Sequence, residues 1–176
     1  VDGDIFLGEI AGQHAIGAAA GADRDLERYG LVLHRLRYRA LVIGRVARAF
    51  VRQNPFVVWG TGEQIRNWTH VTDIVRGTIL AAERIEDGTA VNLGTMERTR
   101  VIDAVKEVLR YTGQQAQVTL HPEMPTGPLN RVADSSLAKR LLGWEAELNF
   151  KDGLHRTIDW YFSTKDQDQV RAILEQ

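Results

Sequence analysis

The stretch Phe56–Asp73, FVVWGTGEQIRNWTHVTD, decides how the rest of this chain is read. It opens on Phe56–Trp59, an apolar run of β-branched and aromatic residues that suits a short buried strand. Gly60–Thr61–Gly62 follows as a tight turn, because glycine reaches backbone conformations that side chains oppose. After Arg66, residues Asn67–Val71 are expected to form a second strand. Thr72 is then placed to cap a helix from Asp73 to about Ile85, its hydroxyl accepting from first-turn amides that have no partner within the helix.

Working outward, the same alternation continues toward the C-terminus. Asp87–Gly88 turns the chain into an expected strand Ala90–Leu93. A helix over Thr99–Tyr111 carries Val101, Ile102, Val105, Val108 and Leu109 on one face, and Gly113 ends it with a left-handed cap. Val118–Leu120 reads as a strand entering HPEMPTGP, a stiff loop rich in proline. Ser135 or Ser136 is expected to cap a helix that runs to Leu142 and closes at Gly143. Phe150–Ser163 reads as a further helix. Toward the N-terminus, Leu31–Gln53 gathers Leu41, Ile43, Val46, Ala47, Phe50 and Val51 near helical spacing, and Pro55 stops it. A helix over Ile5–Ala19 is compatible with its alanines, which Gly12 and Gly17 weaken. The organisation expected is a divergent, helix-compatible segment 1–40, a domain 41–165, and a polar tail 166–176 with helical leanings. Strands alternating with helices make the class α/β.

Composition narrows the partners. Apolar residues are 44% and charged residues 26% of the chain, which suits a packed globular domain. The net charge of −1 gives no whole-chain attraction for nucleic acid or anionic membrane, and neither is expected as a partner. Arginines crowd Arg24–Arg52, yet only Tyr29 and Tyr38 are interleaved there to stack on RNA bases; a solvated helix face is the plainer reading. There is no cysteine, which removes thiolate catalysis and Cys-based zinc sites and fits a reducing compartment. No apolar run is long enough for a membrane helix, so a cytoplasmic protein is expected. The histidines His14, His34, His70, His121 and His155 show no metal-ligand spacing, and no metal is expected.

Four pieces in this order, WGTGEQIRNWTHVTDIV, VNLGT, NRVADSSLAKRLLGW and GLHRTIDWYF, resemble the C-terminal portion of the extended short-chain dehydrogenase/reductases. Within that family the chain is similar to the NAD-dependent sugar-nucleotide epimerases and dehydratases, among relatives of UDP-glucose 4-epimerase and GDP-mannose 3,5-epimerase. The resemblance spans about two thirds of the chain, from Ile43 to Phe162. It implies a partial doubly wound, Rossmann-like sheet with the substrate-binding subdomain of the family, the N-terminal dinucleotide-binding half being absent. It also implies that Phe56, Val57 and Trp59 lie along the nucleotide base, that Arg66 and Arg131 hold the diphosphate, and that Asp134 lies near the ribose. The residue type suits the task, since a guanidinium stays charged and presents a rigid donor fork to phosphate oxygens. The plainer alternatives are Phe56 and Trp59 as core, and the arginines as surface ion pairs worth about 0–1 kcal/mol.

The resemblance bears equally on the chemistry. Neither Gly12 with Gly17 nor Gly17 with Gly21 makes a G-x-G-x-x-G dinucleotide loop. An alignment through Phe6–Glu9 puts Val1 and Ile5 where relatives carry the tyrosine and lysine of a catalytic Tyr-x-x-x-Lys pair. No catalytic residue and no cofactor are therefore expected in this chain, NAD being the cofactor of the intact family. The expectation is a truncated epimerase/dehydratase-like protein that keeps the nucleotide-sugar-binding region and is not catalytic alone. Its expected partners are a nucleoside diphosphate sugar and further copies of itself. Two alternatives stand beside it. One is an interaction protein that homodimerises through surface exposed by loss of the dinucleotide domain, the other one half of a split epimerase.

Overall fold

The computed structural model describes residues 42–175. The expected helix Ile5–Ala19 and the arginine-rich stretch up to Leu41 lie outside the described residues. The elements in chain order are α1 (Val42–Phe50), β1 (Phe56–Trp59), β2 (Ile65–Arg66), α2 (Val71–Arg84), β3 (Thr99–Arg100), α3 (Val101–Tyr111), β4 (Val118–His121), β5 (Asn130–Arg131), α4 (Ser136–Leu142), α5 (Phe150–Thr164) and α6 (Gln167–Glu175). The class is α/β.

Two small sheets organise them. Strand β1 pairs in parallel with β4, Phe56 opposite Val118 and Trp59 opposite His121. The second sheet has the order β3-β2-β5, with β2 antiparallel to β3 and parallel to β5. The larger core cluster forms where α1, α3 and α5 pack on one face of β1. It holds Val46, Ala47 and Ala49, then Phe56 and Val58, then Val101, Val105 and Val108, then Leu154, Ile158 and Tyr161. The α3 and α5 sets recur at i, i+4 and i+7, the stripe that faces a core. Helix α6 adds Val170 to the same core, so the segment expected as a polar tail is docked by an apolar residue. Gln167 Nε2 reinforces it by donating to the Phe50 carbonyl at 2.7 Å.

A second cluster holds α4 against α2. Ala138, Leu142 and Trp144 are buried there, with Leu80, Ala81, Ile85, Val91 and Leu93 around them. Gly77, in mid-helix, is explained by this contact: a Cβ at that position would lie 2.8 Å from Trp144 Nε1 and 2.7 Å from a Leu93 methyl. The joint is completed by Asp73, 2% exposed. Its carboxylate accepts from the amides of Glu147 at 3.0 Å and Leu148 at 3.1 Å and from Arg76 at 3.1 Å. Its backbone carbonyl accepts from the Trp144 indole at 3.0 Å. Burial pushes the Asp73 carboxyl up, but the two amides and the Arg76 guanidinium outweigh it and hold the group below the usual carboxylate range.

Four expectations need correction. The second strand is Ile65–Arg66, not Asn67–Val71, because only these two residues find partners on both sides. Helix α2 accordingly starts at Val71 and its cap is His70, whose Nδ1 accepts from the Thr72 amide, not Thr72 itself. Burial, then the nearby Arg156, lowers the His70 pKa and favours the neutral ring that capping requires. Ala90–Leu93 is not a strand: Val91 and Leu93 pack into the second cluster with no ladder partner among the described residues. Thr99 belongs to β3, so α3 begins at Val101. No helix among the described residues is long and apolar enough to cross a membrane.

Candidate functional site

The β2–β5 ladder decides the site. Arg66 and Arg131 are register partners on adjacent parallel strands. Such strands run about 4.8 Å apart with paired side chains leaving the same face. Two guanidinium-bearing residues from distant parts of the chain therefore stand side by side. Arg66, half-buried, also straps the proline-rich loop in place. Its Nη1 donates to the Ile65 carbonyl at 2.7 Å and the Pro128 carbonyl at 2.8 Å, and its Nη2 to the Thr126 carbonyl at 2.9 Å. Arg131 is exposed.

The turn after β1 closes against the same loop. Gly60 and Gly62 have φ of +78° and +79°, in the left-handed region. The Gly60 amide donates to the His121 carbonyl at 2.7 Å. A Cβ on Gly60 would lie 2.0 Å from Gln64 Nε2 and 2.4 Å from a Thr126 methyl, so only glycine fits. Gln64, 3% exposed, reaches back toward the Trp59 carbonyl with its Nε2 at 3.5 Å. Gln64, Thr126, His121 and Glu123 were not among the residues expected at the site. The signal for Gln64 was a polar residue trapped between a Gly-X-Gly turn and Arg66.

The strand residues expected along the base separate. The Phe56 side chain is 0% exposed and sits in the core, and its amide is given to the Gln117 carbonyl at 2.7 Å. Its side chain therefore lines no open surface. Val57 and Trp59 alternate to the opposite face and are half-buried. Asp134 serves the helix: its Oδ1 accepts from the Ser136 amide at 2.9 Å and the Ser136 hydroxyl at 2.5 Å. These bonds hold its carboxyl below the usual range. Asp134 thus supplies the capping side chain expected of Ser135 or Ser136, while Ser135 at the N-cap position makes no side-chain capping bond.

A Tyr-x-x-x-Lys spacing does occur, at Tyr161–Lys165. Tyr161 is buried in the core with its ring edge-on to Phe50, and Lys165 has left helix α5 to lie over the Trp160 ring. A phenol sealed in the core cannot reach a substrate. Nor does the Gly60–Gly62 turn fit NAD: it leads into strand β2, not into a helix whose N-terminal amides would seat a pyrophosphate. Among the described residues no cluster of potential metal ligands occurs.

With this geometry in view, comparison with known proteins is direct. Residues 34–157 match the GDP-mannose 4,6-dehydratase family, well over half of the chain. The chain belongs to the NAD-dependent sugar-nucleotide epimerases and dehydratases of the extended short-chain dehydrogenase/reductase class. It is 31% identical over 120 residues to an uncharacterized UDP-glucose epimerase of Bacillus subtilis, covering 68% of this chain and 38% of that protein. It is 30% identical over 154 residues to a UDP-glucuronate 4-epimerase of Thermodesulfobacterium geofontis, covering 87% of this chain and 47% of that one. The fold is similar, at a TM-score of 0.65 and 28% identity, to UDP-glucose 4-epimerase from Thermotoga maritima solved with UDP-glucose. That match covers 70% of this chain and 39% of the epimerase. The chain thus spans less than half the length of each of these relatives.

Proposed function

We propose that this polypeptide carries the nucleotide-sugar-binding region of a sugar-nucleotide epimerase or dehydratase. Arg66 and Arg131 grip the diphosphate, and Val57 and Trp59 flank the base. The observation that supports this most is the in-register placement of the two arginines on β2 and β5. The role proposed for residues 42–175 is to bind the substrate. Arg131→Ala, with Tm measured alongside, is the test, because Arg66 also holds the loop and its loss would disturb the fold. Loss of a charge-assisted contact worth about 1.5–3 kcal/mol weakens UDP- or GDP-sugar binding roughly 10- to 150-fold by calorimetry. Unchanged affinity would end the diphosphate assignment.

A second reading, association of two copies, has its own observation. Val71, Val75 and Ile79 recur at i, i+4 and i+8 on α2, and Val75 and Ile79 are 50% and 52% exposed. An apolar stripe left open on a helix suits an isologous contact across a two-fold axis. Sedimentation over a range of concentrations reads it directly: a monomer throughout refutes the contact.

A further inference from the structure

The structure points to guanine, not uracil, as the base this site selects, with Glu123, bonded to the cross-strand neighbour of Trp59, as the discriminating residue. This rests on the nucleotide-binding reading above, and the relationship to known proteins leaves the base open, since the family matched is named for a GDP-sugar and the two relatives described above for UDP-sugars.

Trp59 and His121 are register partners on the parallel strands β1 and β4, so both leave the sheet on the same side. That side is opposite the one on which Phe56 and Val58 enter the core. The indole gives a base a face to stack on, but stacking accepts every base and selects none. Selection needs a polar group near the edge of the stacked ring. Just past His121 the chain turns, the Met124 amide donating to the His121 carbonyl at 3.0 Å. This turn brings Glu123 back onto its own strand end, where its carboxylate accepts from His121 Nδ1 at 2.7 Å. The side chains of His121 and Glu123 are 40% and 63% exposed, so a ligand reaches them. The Glu123 carboxyl is held below its usual range by its own amide and by His121, and so carries a charge at neutral pH.

Edge chemistry then decides. Guanine presents two adjacent donors, its ring N1–H and exocyclic N2–H, which a carboxylate accepts as a pair of charge-assisted hydrogen bonds. Uracil presents one N–H between two carbonyl oxygens, and a carboxylate repels both of those. The imidazole, by donating to Glu123, fixes the orientation of the carboxylate without neutralising it.

The test is calorimetric titration of the full chain with GDP, UDP and inorganic pyrophosphate, repeated on Glu123→Gln and Glu123→Asp. GDP is expected to bind at least about 10-fold tighter than UDP, the size of one good paired contact. Glu123→Gln should bring the two within about 3-fold, because an amide can meet either base edge, while pyrophosphate binding stays unchanged. Glu123→Asp keeps the charge and should retain a GDP preference. Equal binding of GDP and UDP by the unaltered chain, or a preference that survives Glu123→Gln, overturns this inference and leaves the diphosphate site standing. Failure of all three ligands overturns the site and the inference together.

Discussion

Asp73→Ala should be the most damaging single surface-neutral change in this protein. The carboxylate receives two backbone amides, Glu147 at 3.0 Å and Leu148 at 3.1 Å, and Arg76 at 3.1 Å. Alanine leaves each amide without its acceptor at about 1 kcal/mol or more, the low end for partly buried donors. It also removes the Arg76 contact and a negative charge in the first turn of α2, each worth roughly 0.5 kcal/mol. The sum, about 3–4 kcal/mol, agrees with the usual cost of breaking a buried charge network. A chain of this length should then lose roughly 10 °C in Tm. Urea unfolding followed by tryptophan fluorescence reports the right joint, because the Trp144 indole donates to the Asp73 carbonyl. Asp73→Asn keeps one acceptor and should cost about half as much. The pH dependence has a fixed sign. A carboxyl held below its unfolded pKa contributes stability above that pKa, and the contribution is lost as pH falls through the folded value. The asparagine variant should therefore show a flatter acid limb below about pH 4. A loss under about 1 kcal/mol for the alanine variant would refute this account of how α2 is tied to the segment after Trp144.

Glu107 gives a second acid-labile contact, between α3 and α5. Its carboxyl is lowered to about 2 by Arg110 and, against the opposing effect of burial, by His155, whose Nε2 lies 2.6 Å away. The contribution, at most about 3 kcal/mol and less in salt, is complete above the unfolded pKa and disappears as pH falls toward 2. Glu107→Gln should remove that dependence in acid titrations monitored by circular dichroism; an unchanged acid limb would show the contact to be idle. For the stripe on α2, Val75→Glu with Ile79→Glu should abolish any concentration-dependent association seen by sedimentation while leaving Tm within a few degrees, since both side chains are half exposed.

Much of the fold was readable locally. Phe56–Trp59, the turn at Gly60 and Gly62, the α3 stripe and its Gly113 terminus follow from apolar spacing and from backbone conformations that favour glycine. The misreadings fall where partners had to be known. Asn67–Val71 has strand-forming residues, but extended backbone is held only where a neighbouring strand supplies hydrogen bonds, and those reach Ile65 and Arg66 alone. Ala90–Leu93 fails for the same reason. That Asp134 caps a helix through its hydrogen bonds to Ser136 was likewise not legible in one dimension. The burial of the Phe56 side chain in the core was decided by the helices that pack on β1.

The amino-acid order alone determined the α/β class, the family and the identity of the arginines, because these depend on local periodicity and on motifs that survive in one dimension. Tertiary structure decided what those residues do to one another. Only the register of β2 on β5 sets Arg66 beside Arg131, and only the β1–β4 ladder sets Trp59 beside His121 and its bonded Glu123. Pairing across a sheet depends on chain segments far apart in sequence, and no local pattern in either segment specifies which residue will stand opposite which.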